Sequence, residues 1–81
     1  MSIRETVHAV FKEVADAQGR VLAPLADDLR LTHCGLDSLS FAIVVATLED
    51  TLGADPFSGA DTVEFPVTLG DFIHLYDRTV A

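Results

Sequence analysis

Apolar residues at Ile3, Val7, Val10, Phe11 and Val14 recur at i, i+4, i+7, i+8 and i+11, one stripe of a 3.6-residue helix. Arg4, Glu5, His8, Lys12, Glu13 and Asp16 occupy its other faces. Ser2 and Glu5 form a capping-box pattern at the start, and Gly19 stands where a C-terminal cap belongs. Pro24 and the Asp27-Asp28 pair break this pattern between Arg20 and Leu36, which predicts a long loop with at most one short helical turn. Loops of such length in small domains tend to be functional. Its Val21, Leu22, Leu25, Leu29 and Leu31 are apolar enough to be expected to pin it across the helices.

A second helix is predicted to start sharply, with Asp37 as N-cap and Leu36 and Phe41 as the N′ and N4 partners of a hydrophobic staple. It runs through Leu39, Ile43, Val44, Val45 and Leu48 to about Thr51 and closes at Gly53. Phe41 to Ala46 is apolar nearly all round, so this helix is expected either to be central or to offer a face to a partner. Asp55-Pro56 stops the chain, and a short helix fits around Gly59 to Val63. Thr68 and Asp71 open a last helix carried by Phe72, Ile73, Leu75, Tyr76 and Val80. With no strand alternation or hairpin signal, the expected fold is all-α: one domain over 1–81, a four-helix bundle of three longer helices and one short one, with a long first loop.

The charge balance narrows the partners. Thirteen acidic residues against five basic ones leave a formal net charge of −8 in 81 residues. Nucleic acid and anionic membrane surfaces both demand cationic protein, so neither is an expected partner. Basic proteins are, with attraction speeding encounter. The longest apolar run, Phe41 to Ala46, is far below the ~20 residues that span a bilayer. Met1 to Glu5 lacks the pattern of a signal peptide, and the single cysteine, Cys34, forms no internal disulfide. A soluble monomer in the reducing cytoplasm is the resulting expectation.

The chemically suggestive stretch is Gly35-Leu36-Asp37-Ser38-Leu39, where the long loop meets the second helix. A serine at the first helical position projects its hydroxyl ahead of the helix axis. The unpaired N–H groups there and the positive end of the helix dipole favour an anion. Gly35 lets the loop turn, and Asp37 sets the helix start so that Ser38 is presented. No base with a third orienting group is apparent nearby, so no catalytic residue is assigned. Ser38 reads as an attachment point modified by another protein. The same segment also reads as an ordinary capped helix start.

In this motif and its setting the chain resembles the acyl carrier protein and peptidyl carrier protein superfamily, marked by Gly-x-Asp-Ser-Leu at the start of the second helix. The resemblance covers the whole chain: size, acidity, first amphipathic helix, long loop, and a closing helix after Thr68-Leu69-Gly70-Asp71. It implies a bundle of acyl-carrier type and a phosphopantetheine arm transferred from coenzyme A to Ser38. Asp37, Gly35 and Leu39 belong to the motif around that arm. It further implies a non-enzymatic phosphoprotein that carries acyl or aminoacyl thioesters for fatty-acid, polyketide or nonribosomal-peptide synthesis. The implied partners are a phosphopantetheinyl transferase, an acyl or aminoacyl ligase, and downstream acyltransferases or synthases.

One departure matters. Fatty-acid-type carriers usually show acids along the second helix just after the serine, whereas Ser40 to Ala46 here holds no charge and Ile43 stands where an acid is common. The acids lie at Asp27, Asp28, Asp55, Asp61 and Glu64, and at the helix end in Glu49 and Asp50. Partners are therefore expected to grip Leu39, Phe41 and Ala46 by apolar contact, with Glu49 and Asp50 at the rim. Alternatively Phe41 or Ile43 packs under the loop. An apolar cargo is expected to fold back near Val45, Phe65 and Ile73. Cys34 is expected to pack internally and His33 to be solvated. His8, His74 and Cys34 make no metal spacing, and 55–61 fails calcium-loop spacing at Phe57, so no metal is expected. The rival to the carrier reading is an unmodified helical adaptor that binds through the apolar second helix.

Overall fold

A computed structural model of the chain describes residues 2–53 and 66–80. Three α-helices dominate them: α1 (Ile3–Ala17), α2 (Ser38–Leu52) and α3 (Leu69–Val80), with a 3₁₀ turn at Leu31–His33 inside the long loop. The short helix expected at Gly59–Val63 lies outside the described residues. The described fold is that of a small all-helical unit.

Local chemistry explains each helix start. Ser2 Oγ accepts the Glu5 N–H at 3.1 Å and caps α1. Asp37 Oδ1 accepts the Ser40 N–H at 2.8 Å and caps α2. At α3 the capping box is reciprocal: Thr68 Oγ1 accepts the Asp71 N–H at 3.2 Å, and Asp71 Oδ2 accepts the Thr68 N–H at 3.3 Å. Gly53 ends α2 in the left-handed region, where a closing glycine was expected, and the helix itself runs one residue past Thr51 to Leu52.

The apolar pattern of the second helix allowed two placements, central or with one face left open. α1 is the helix that packs against both others, because its clean stripe buries Val7, Val10, Phe11 and Val14 toward both neighbours at once. α2 instead offers one face to solvent. An aromatic stack ties the three together: the ring of Phe72 on α3 lies 5.7 Å from Phe11 on α1, 5.3 Å from Phe41 on α2 and 5.0 Å from Tyr76. Tilted and edge-on contacts of this kind add to the area burial of each ring.

The loop from residue 20 to 37 is fastened along the bundle. Leu22, Leu25, Leu29, Leu31 and Leu36 pack against the core, as their composition predicts. Val21 does not, being 88% exposed; its backbone is turned toward Gly35 and its side chain is left outside. The loop is then stitched to the start of α3. Leu31 N–H donates to Val67 O at 2.9 Å, Leu69 N–H to Leu29 O at 2.8 Å and Gly70 N–H to Asp27 O at 2.9 Å, around an isolated antiparallel bridge between Arg30 and Thr68. A bidentate ion pair between Arg4 and Asp27 joins the same loop to α1. Asp27 is thus committed within the fold and is not one of the free acids the charge pattern suggested for steering partners.

Candidate functional site

Two backbone devices converge on the start of α2. The first is the end of α1, where Gly19 takes φ +66° and its N–H donates to Asp16 O at 3.2 Å while Arg20 N–H donates to Ala15 O at 2.7 Å. This 6→1 and 5→2 pair is a Schellman motif, and it fixes the backbone of Arg20. The second is Gly35, at φ +103°, whose α-carbon lies against the backbone of Val21. Ala23 N–H donates to Cys34 O at 3.0 Å beside it. The two ends of the long loop therefore meet just ahead of Ser38.

Ser38 is the first residue of α2 and is exposed. Leu39, at 64% exposure, is one of the few large apolar side chains of the described residues left in solvent. Between them and the loop, Asp37 holds two sets of donors. One carboxylate oxygen caps the helix through Ser40, and the other pairs with the guanidinium of Arg20. These contacts hold the Asp37 carboxyl below the ordinary carboxylate range, Ser40 contributing most through its side chain and its N–H, and the charge of Arg20 less. The Ser40 hydroxyl reaches no full hydrogen-bond geometry, so its effect on Asp37 is one of proximity. Asp37 is therefore an ionised, engaged capping group.

An open cleft of about 230 Å³ lies directly beside Ser38. Leu31, Leu36, Phe41 and Pro66 make its apolar walls, while Thr32, Asp37 and Ser38 supply polar atoms. Leu36 and Phe41, the pair expected to form a staple, both line this cleft. The cargo site expected near Val45, Phe65 and Ile73 is a different place. Ile73 belongs to the buried core, Val45 is half-buried, and Phe65 lies outside the described residues.

The expected partner residues divide. Leu39, Ala46, Glu49 and Asp50 are all exposed, and with Ala42 they share one face of α2. Phe41 turns away from them: it is half-buried, with its ring on Phe72 and Phe11. Ile43 is half-buried. Cys34 is fully buried and forms no disulfide, and His33 is exposed. Asp28 is exposed, whereas Asp55, Asp61 and Glu64 lie outside the described residues, as does the 55–61 run. No group of three or more potential metal ligands occurs among the described residues. No helix of the described residues is long and apolar enough to cross a membrane.

Two residues of the site escaped the reading of the sequence. Ser40 looks like a surface serine, yet it is 1% exposed. Its spacing of four from Val44 and eight from Leu48 was the available signal, since all three are buried on one stripe of α2. Arg20 follows the capping Gly19 directly, which places its backbone, but nothing in sequence links it to Asp37, 17 residues away. Compared with known proteins, the chain matches no family pattern, no curated protein and no solved structure.

Proposed function

We propose that the chain is a carrier protein, in which the Ser38 hydroxyl receives a phosphopantetheine arm and the arm's thiol bears acyl or aminoacyl groups as thioesters. The single observation that carries this reading is the exposure of Ser38 at the first position of a capped helix, inside Gly35-Leu36-Asp37-Ser38-Leu39. The residues present suit such a group. An exposed hydroxyl is open to a modifying enzyme, the helix N-terminus favours a phosphodiester, and the Arg20 guanidinium stands at the neighbouring residue. The adjacent cleft gives an attached chain an apolar wall to lie against.

In the attachment step the Ser38 oxygen forms a bond to the phosphorus nearer the pantetheine of coenzyme A. The bond from that phosphorus to the bridging oxygen of the pyrophosphate breaks. Adenosine 3′,5′-bisphosphate leaves, and the serine proton passes to a base of the transferase, since Asp37 is engaged by Ser40 and Arg20. Once bound, the arm supplies a thiol on a long flexible tether. The chain's own residues hold its anchor. Asp37 and Gly35 set the direction in which Ser38 leaves the fold, and Leu39, Ala42 and Ala46 offer an apolar docking face rimmed by Glu49 and Asp50. The same reading makes the fold a carrier-type four-helix bundle, its partners a transferase, a ligase and acyltransferases or synthases, and its setting the cytoplasm, where coenzyme A is supplied.

Intact mass after incubation with coenzyme A and a broad-specificity phosphopantetheinyl transferase tests the proposal. A gain of one phosphopantetheine that is absent in Ser38→Ala is expected. Absence of any gain with several transferases overturns it in favour of an unmodified adaptor that docks through the exposed face of α2.

A further inference from the structure

Attachment of a phosphodiester at Ser38 creates an electrostatic problem that the structure is equipped to meet. The new negative charge stands one residue from Asp37, whose carboxylate is already ionised and held at the same helix start. The chain as a whole carries a formal −8. Two anions on adjacent residues repel, and a helix N-terminus, worth only about half a positive charge, offsets part of that. Arg20 is the cation in contact at this point. Its backbone is fixed by the Schellman motif that ends α1, so its side chain is delivered to α2 by the loop closure itself. Arg4, the other ion-paired arginine among the described residues, is committed to Asp27.

Resting on the carrier reading, we propose that Arg20 is the positioning residue for the phosphodiester, its guanidinium bridging the Asp37 carboxylate and the phosphate oxygens once Ser38 is modified. In the unmodified chain Nη2 of Arg20 donates to Oδ2 of Asp37. A guanidinium carries about five N–H donors in a planar fork matched to carboxylate and phosphate alike. It can keep one oxyanion while taking a second, which a lysine ammonium does with less geometric control. Arg20 thereby sets the angle at which the arm leaves the protein, toward the cleft or away from it. The pair is half-exposed, so its effect in the unmodified protein is small. It grows when the second anion arrives.

The test uses the full chain as wild type, Arg20→Gln, Arg20→Lys and Ser38→Ala. Each is incubated with coenzyme A and a broad transferase, and modification is scored by intact mass. Thermal unfolding of the unmodified and modified forms is then compared, with the phosphorus-31 shift of the phosphodiester and the Nε–H resonance of Arg20 recorded in the modified wild type. Arg20→Gln is expected to lower the melting temperature of the modified form by about 2–6 °C more than that of the unmodified form. It is also expected to move the phosphorus resonance, with Arg20→Lys restoring part of both effects. In the wild type, attachment is expected to shift the Arg20 Nε–H resonance more than that of Arg4. Equal losses in both forms with an unmoved phosphorus signal overturn the role of Arg20 and leave the carrier reading intact. Failure of the wild type to gain any arm removes the carrier reading and this inference with it. Should Arg20→Gln not fold, the wild-type resonance shift on attachment decides the matter alone.

Discussion

A side-chain carbon built on Gly35 would lie 2.2 Å from the carbonyl oxygen of Val21. That contact closes the long loop on itself ahead of the helix bearing Ser38, and it works only because residue 35 has no side chain and takes φ +103°. Gly35→Ala is therefore expected to destabilise the fold by about 2–4 kcal/mol, combining backbone strain with a clash against main-chain atoms that cannot rotate away. Urea unfolding followed by circular dichroism measures this. A loss below about 0.5 kcal/mol would mean that the two ends of the loop do not meet.

Asp37 has two roles that substitution separates. Asp37→Ala removes the cap of α2 and the Arg20 pair together, and a drop of about 4–8 °C in melting temperature is expected. Asp37→Asn keeps an oxygen for the Ser40 N–H and loses only the charge pairing, which is exposed, so a much smaller drop is expected. Equal drops in the two variants would show that the ion pair, and not the cap, carries the effect.

Acid should weaken the fold, and the sign follows from three carboxyls held below their ordinary range. Asp27 is lowered by Arg4, Asp37 by Ser40 and Asp71 by the N–H groups of Thr68 and Val67. A carboxyl whose pKa is lower in the folded than in the unfolded chain contributes its stabilisation in full above the unfolded value. It loses that contribution as pH falls through the folded one. The melting temperature is thus expected to change little from pH 7 to about 5 and to fall below about pH 4. Asp71→Asn and Asp37→Asn, which remove the titrating carboxyls themselves, should each flatten that fall, and a melting temperature rising toward pH 3 would contradict the assignment.

The exposed and half-buried members of α2 should respond oppositely to charge. Leu39→Asp places a carboxylate on a side chain that is already 64% exposed, and a change within about 0.5 kcal/mol is expected. Phe41→Asp forces a charge into the ring contacts with Phe72 and Phe11 and should cost more than about 3 kcal/mol. Under the carrier reading, Leu39→Asp then slows charging by the cognate ligase while leaving the fold intact. Unchanged charging in that variant would remove the exposed face of α2 as a docking surface.

Cys34 offers a clock for opening of the long loop. It is fully buried against the core, so iodoacetamide is expected to label it at the rate at which the fold opens. That rate should rise steeply in Gly35→Ala. Labelling of the native wild type as fast as in urea would show that the segment before Ser38 is not closed.

Where a feature depends on residues within one or two turns, the amino-acid order was enough to read it. The caps at Ser2, Asp37 and Thr68 and the apolar stripe of α1 act over three to eleven residues, and each appears in the structure where its pattern lies. The start of α2 at Ser38 was legible for that reason, and so was the exposure of that residue.

What joins distant segments was not legible. Composition makes Val21 look like a core residue, but the approach of its carbonyl to Gly35 turns its side chain outward. The nearly uniform apolar surface of α2 hides which side is buried; only contact with α1 and the ring of Phe72 buries Ser40 and half-buries Phe41 while leaving Leu39 and Ala46 outside. Arg20 meets Asp37 because a cap on one helix and a loop closure bring together residues 17 apart. Local hydrogen bonds select the elements, and their energies are written in neighbouring residues. Which faces meet, and which charges become partners, depends on how three helices fill one core, and the folded chain alone decides that.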